Sequence, residues 1–188
     1  NEKIEIEDKE QLELELNQRR EQKEKDSLIK EQIQNNLDMA KMAVRIANKG
    51  KEPYEKYHWK IEASKCISRN LEIIKKGIYE GEQSERFHEE RYKIYLKEAA
   101  EIALELAESC KNKGEMTVRK GMDWRRKRYR LLLKINDLPH LEKEYLEVLK
   151  LYRDLLKEME KEYTKGNRKK VETDMEKFVK KYGIEKRD

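Results

Sequence analysis

Residues 141–163 read LEKEYLEVLKLYRDLLKEMEKEY. Apolar side chains recur at Leu141, Tyr145, Val148, Leu149, Tyr152, Leu155, Leu156, Met159 and Tyr163. Steps of three and four residues give one apolar face on a helix, whereas a half-buried strand needs steps of two. This is the widest apolar face in the chain, and it predicts a long packed helix. Just upstream, NDLPHLE places Asp137 as the N-cap and Pro139 in the first turn, where a missing amide hydrogen costs nothing. Downstream, TKGN at 164–167 predicts a stop. A short sixth helix follows, carrying Val171, Met175, Phe178, Val179 and Tyr182, with KYG at its end.

The same pattern extends towards the N-terminus. One helix is expected over about 26–49, with Asp26 or Ser27 as cap and Ile29, Ile33, Leu37, Ala40, Val44 and Ala47 facing inward. NKG at 48–50 ends it, because glycine takes the left-handed cap conformation at low cost. The next helix starts at Pro53 and buries Tyr54, Tyr57, Ile61, Ile67, Leu71, Ile74 and Ile78, ending near Gly81. A third starts after Ser84 and buries Phe87, Ile94, Tyr95, Ala99, Ile102, Leu106 and Cys110, stopping at a second NKG, 112–114. A fourth covers about 115–136. Long helices joined by short turns pack as antiparallel neighbours. The expected fold is all-α: an antiparallel helical bundle or short α-hairpin array of five to six helices. Gly50, Gly81 and Gly114 stand 31 and 33 residues apart. One helix fills each interval, whereas a repeat of about 34 residues built on a helix pair needs two.

Residues 1–25 differ. KIEIE and QLELEL alternate apolar and acidic residues, and NQRREQKEKD has no apolar residue. Ten acids stand against six bases over 1–26, a net −4. The expected organisation is an acidic flexible arm at 1–25, a single helical domain at 26–183 and a tail at 184–188. Charged residues make up 45% of the chain, with 2 Pro and 7 Gly, the profile of long helices. No apolar run approaches the roughly 20 residues that span a bilayer. Cys66 and Cys110 form no metal or redox motif, and a reducing cytoplasm is the compartment expected. The chain begins with Asn1, which leaves room for a longer parent.

The most unusual stretch is RKGMDWRRKRYR at 119–130, with seven bases against Asp123. Its net +6 exceeds the +5 of the whole chain, so the global charge is one local patch. On a helical wheel Arg119, Lys120, Arg126, Lys127, Arg130 and Lys134 share one arc and are the candidate polyanion contacts. Arg125 points into one apolar strip and Arg128 lies between two, so both are expected to meet glutamates from the third or fifth helix. Trp124 and Tyr129 fall on apolar strips.

Ten tyrosines against two phenylalanines suit half-wet contact surfaces. Tyr54, Tyr57, Tyr145 and Tyr152 are the candidate partner-facing residues. Catalysis finds no support: there is no nucleophile–base pair and no phosphate-cradling glycine loop. Glu55–His58, Glu85–His88 and Asp137–His140 share a Glu/Asp-x-x-His spacing. With a hairpin turning near residue 82, His58 and His88 stand about 27 Å apart at 1.5 Å per residue, too far for one di-metal site. No metal or cofactor is expected. The function expected is a non-enzymatic interaction or scaffold module binding another protein. The alternative is a nucleic-acid-associated protein using the basic face of residues 119–134. A homo-oligomer is among the expected states.

Overall fold

A computed structural model of the chain describes all residues except 1, 78–81, 111–114, 162–164 and 184–188; the side chains of 2–5, 82–83, 115–117, 160–161 and 165–166 also lie outside the description. The fold is all-α. Among the described residues six helices follow in order: α1 (Glu2–Lys49), α2 (Pro53–Lys75), α3 (Glu82–Glu108), α4 (Glu115–Lys134), α5 (Leu138–Lys161) and α6 (Lys165–Tyr182). No strand occurs among the described residues. They gather into two compact units, residues 1–43 with 62–92 and residues 44–61 with 93–188.

In the first unit α1 begins far earlier than Asp26. The acidic segment is helical from Glu2 onward, and every described side chain from Ile6 to Leu28 is exposed. The alternation of KIEIE and QLELEL marks a strand only where a sheet half-buries it. Without one, Glu, Gln, Lys, Arg and Leu are all strong helix formers. Gln22 adds an i,i+4 bond to Asp26 at 3.0 Å. Packing starts at Ile33, and the buried face comprises Ile33, Asn36, Ala40 and Ala43. α2 contributes Ala63, Cys66, Ile67, Asn70, Leu71 and Ile74. It ends at Lys75, not near Gly81. Gly77 holds φ at 70°, a left-handed turn that closes the helix, and its amide donates to Ile74 O at 3.1 Å. Ile78, expected on this face, lies outside the described residues.

The start of α3 also differs from expectation. Ser84 is inside the helix and does not cap it. Phe87 and Ile94 are exposed, while His88, Tyr95, Leu96, Ala99, Ala100, Ala103 and Ala107 are buried. The buried face is turned towards small residues. Of the expected stripe Tyr95 and Ala99 are buried and Ile102, Leu106 and Cys110 half-buried, so the face is rotated towards the alanines, which let neighbouring backbones come close.

The second unit holds α4, α5 and α6 together with the end of α1, the start of α2 and the later part of α3. Arg125 and Arg128 meet Glu144, and Arg126 meets Tyr152, so the later residue of α5 pairs with the same stretch of α4 across a short turn. That makes α4 and α5 an antiparallel hairpin. Its turn is well specified. Asn136 carries a φ of 56°, Asp137 N donates to Leu132 O at 3.1 Å, and Asn136 N donates to Leu133 O at 3.2 Å. This is a Schellman close with asparagine in the left-handed position. The Asp137 carbonyl then accepts from Leu141 N at 2.9 Å to open α5. The expected face of α5 is buried: Leu141, Tyr145, Val148, Leu149, Tyr152, Leu155 and Met159. Tyr163 lies outside the described residues. α6 lays Phe178 against Tyr145, Tyr152 and Tyr129, with ring centroids 5.6, 5.9 and 5.7 Å apart. Cys66 and Cys110 are free thiols, and burial raises the pKa of Cys66.

Candidate functional site

The basic helix α4 sorts its cations into two groups. Arg125 and Arg128 are buried against a single carboxylate. Arg125 Nη1 donates to Glu144 Oε1 and Oε2 at 3.3 and 3.2 Å, and Arg128 Nη1 donates to Oε2 at 2.6 Å. Glu144 is 2% exposed. Of the two expected sources of glutamate, α3 and α5, it is α5 that supplies the partner, with one acid serving both arginines. These two charges hold α5 and do not face a ligand.

The outward group has a different setting. Lys120, Lys127, Arg130 and Lys134 are exposed, and Arg119 and Arg126 are half-buried. Arg126 pairs with Asp123 and donates from Nη1 to Tyr152 Oη at 2.9 Å. Burial works against its charge, but Asp123 and Tyr152 together outweigh burial and hold the guanidinium above its ordinary value. Lys127 sets its amine 4.2 Å above the Trp124 ring.

The four tyrosines separate. Tyr145 is 6% exposed and Tyr152 fully buried, both in the aromatic cluster around Phe178. Neither offers a face to a partner while α5 and α6 are packed. Tyr54 and Tyr57 stay near the surface, and both meet Trp124 edge-on, at 6.0 and 5.0 Å between centroids. The Tyr57 hydroxyl is raised in pKa by burial, and the nearby Arg130 charge pulls it down. The structure thus brings two sets of candidates together: exposed Tyr54, half-buried Tyr57 and Trp124, and the cations Lys127 and Arg130 line one surface.

A cavity of about 210 Å³ opens beside α4. Four cations line it: Arg126 and Arg130 from α4, Lys177 and Lys181 from α6. Tyr152, Phe178 and Tyr182 supply rings, and Asp174 is the sole acid among the lining residues. Lys177 and Lys181 were absent from the expected site. α6 carries seven bases against three acids, a net +4, but its sequence drew notice for its apolar stripe alone. Burial raises the Tyr152 hydroxyl pKa, Arg126 lowers it and Asp174 raises it, with a net rise. The phenol therefore keeps its proton while accepting from Arg126.

Among the described residues no group of three or more His, Cys, Asp or Glu could hold a metal. His140 bonds Asp137 at 2.9 Å in the α5 cap, and His88 is buried in the first unit. Among them, too, no helix is long and apolar enough to cross a membrane. Compared with known proteins, the chain matches no family model, no curated protein and no solved structure.

Proposed function

We propose that this chain is a non-enzymatic binding module whose partner is single-stranded nucleic acid, held on the outward face of α4. The observation that carries this reading is the juxtaposition of Lys127 and Arg130 with Tyr54, Tyr57 and Trp124. Cations that follow a phosphate backbone beside rings that accept unstacked bases are the two components of strand binding without sequence preference. Stacking on an exposed tyrosine such as Tyr54 contributes about 1–3 kcal/mol per base. Lys120 and Lys134 extend the charge along the helix.

The test replaces Lys120, Lys127, Arg130 and Lys134 with Glu and measures fluorescence anisotropy of a labelled single strand. All four are exposed, so the helical circular dichroism should stay as in the parent. Affinity should fall at least a hundredfold. In the parent, log K should fall with log salt at a slope of about −0.7 for each phosphate neutralised. Undiminished affinity in the variant removes this reading.

A protein partner, the broader expectation from sequence, is supported by a separate observation. Leu28, Met39 and Met42 of α1 are 65, 44 and 62% exposed and lie on one side of the helix. Tyr145 and Tyr152 no longer contribute to that reading, which is why the nucleic-acid reading takes precedence.

A further inference from the structure

We infer that the cavity between α4 and α6 receives a phosphomonoester, the 5′-phosphate at the end of a bound strand. The inference rests on the nucleic-acid reading above and adds to it an end-specific contact.

Charge selects the ligand class. Among the described residues Arg126, Arg130, Lys177 and Lys181 face the cavity, with Asp174 as the one opposing charge, a net +3. Arg126 is already paired with Asp123, but no carboxylate pairs with Arg130, Lys177 or Lys181 among the described residues. A terminal phosphate carries about −1.5 to −2 charges at neutral pH, against −1 for an internal diester. The surplus of cations therefore favours an end over a passing backbone. Tyr152 acts through Arg126: its buried hydroxyl oxygen accepts from Nη1 at 2.9 Å and fixes the guanidinium at the cavity wall.

Size points the same way. Cavities that bury a whole drug-sized ligand span about 300–1,000 Å³. At about 210 Å³ this one holds a headgroup, and the remainder of the ligand must lie outside. Arg130 lines the cavity and also acts on Tyr57 of the aromatic surface. A strand lying over Tyr54 and Trp124 has its end directed into the cavity by that shared arginine.

The same phosphate could come from a free nucleotide, so the experiment carries both sources. One single-strand sequence is titrated by anisotropy as its 5′-phosphate and as its 5′-hydroxyl form. Adenosine monophosphate and adenosine are titrated calorimetrically beside them. The expected result is at least tenfold tighter binding of the phosphorylated strand. Lys177→Gln with Lys181→Gln should abolish that ratio while leaving the hydroxyl form bound. Asp174→Asn should act in the opposite direction and raise the ratio severalfold. Lys120→Glu with Lys134→Glu should weaken both strands equally and preserve the ratio. Equal affinity for the two strand forms overturns the end contact and leaves strand binding intact. Binding of the monophosphate but of neither strand supports the phosphomonoester cavity and overturns the strand reading. A ratio that survives the double lysine variant overturns the placement. Failure of every probe to bind overturns both proposals.

Discussion

Asn36, Asn70 and His88 in one unit, and Arg125, Glu144 and Arg128 in the other, are all polar groups taken out of water. They are satisfied in different ways. The first cluster is neutral and saturated. Asn70 Oδ1 accepts from Asn36 Nδ2 at 2.8 Å, and Asn70 Nδ2 donates to Ile33 O and to His88 Nε2, each at 3.0 Å. Ser84 O can only accept, so His88 Nδ1 carries the hydrogen that reaches it at 2.7 Å. The neutral ring then has Nε2 as its acceptor, which suits the Asn70 amide. The second cluster is charged and asymmetric, with two guanidinium groups on one carboxylate. Arg128 Nε is left without a partner among the described residues. A neutral chain costs little when a link is lost, because what remains is uncharged. A charged cluster leaves buried ions behind.

That contrast is broken most directly at Glu144. Glu144→Ala strands two buried cations, and loss of one partner from a buried pair costs about 3–5 kcal/mol. We expect that loss in urea unfolding at neutral pH. Combining it with Arg125→Met and Arg128→Met should restore most of the stability, since apolar side chains of similar volume often replace a buried triad without penalty. A loss under about 1 kcal/mol for Glu144→Ala alone would mean that water reaches the arginines, and that the second unit does not depend on this cluster.

Asn70→Ala sharpens the contrast from the neutral side. It leaves His88 Nε2 and Asn36 Nδ2 without partners, while Ile33 O keeps its helical bond. A stranded neutral group costs about 1–3 kcal/mol, so a loss of roughly 2 kcal/mol is expected, below that of Glu144→Ala. A double-mutant cycle of Asn36→Ala with Asn70→Ala should show coupling above about 0.5 kcal/mol. Additive losses would break the chain of bonds into independent contacts.

Both clusters show how far sequence patterns reach. Arg125 and Arg128 were legible as inward residues because a cation on an apolar strip must find an acid. Which acid it would be was not, since α3 and α5 each carry many glutamates and only packing selects Glu144. His88 stood out in the sequence only for its spacing from Glu85. Its burial depends on α3 turning its alanines inward, which no count of bulky residues reveals. The α5 stripe was legible almost residue by residue, since nine apolar positions agree on one face. Tyr145 and Tyr152 were less so, because periodicity does not separate a core ring from a rim ring. Lys177 and Lys181 were hidden for a related reason. Local charge arithmetic finds a patch within one segment, and this cavity draws its charge from two.

The half-buried cap at Asp137 sets the lower end of the scale. Its carboxylate accepts from the His140 ring at 2.9 Å and from the His140 backbone amide. Slight burial pushes its pKa up, but the bonds to His140 win and hold it below the ordinary 3.8. Replacing an N-cap aspartate with alanine costs about 1 kcal/mol, so Asp137→Ala should lose about that at neutral pH. The sign of the pH effect follows from the lowered pKa. The carboxylate binds protons less readily folded than unfolded, so its charge-dependent stabilisation is complete above the ordinary 3.8 and fades as pH falls through the lower folded value. Parent and variant should therefore differ by a constant amount near neutrality and converge in acid. A gap that stays constant down to pH about 2 would show that the cap acts through backbone geometry alone, with the Asn136 turn carrying the start of α5.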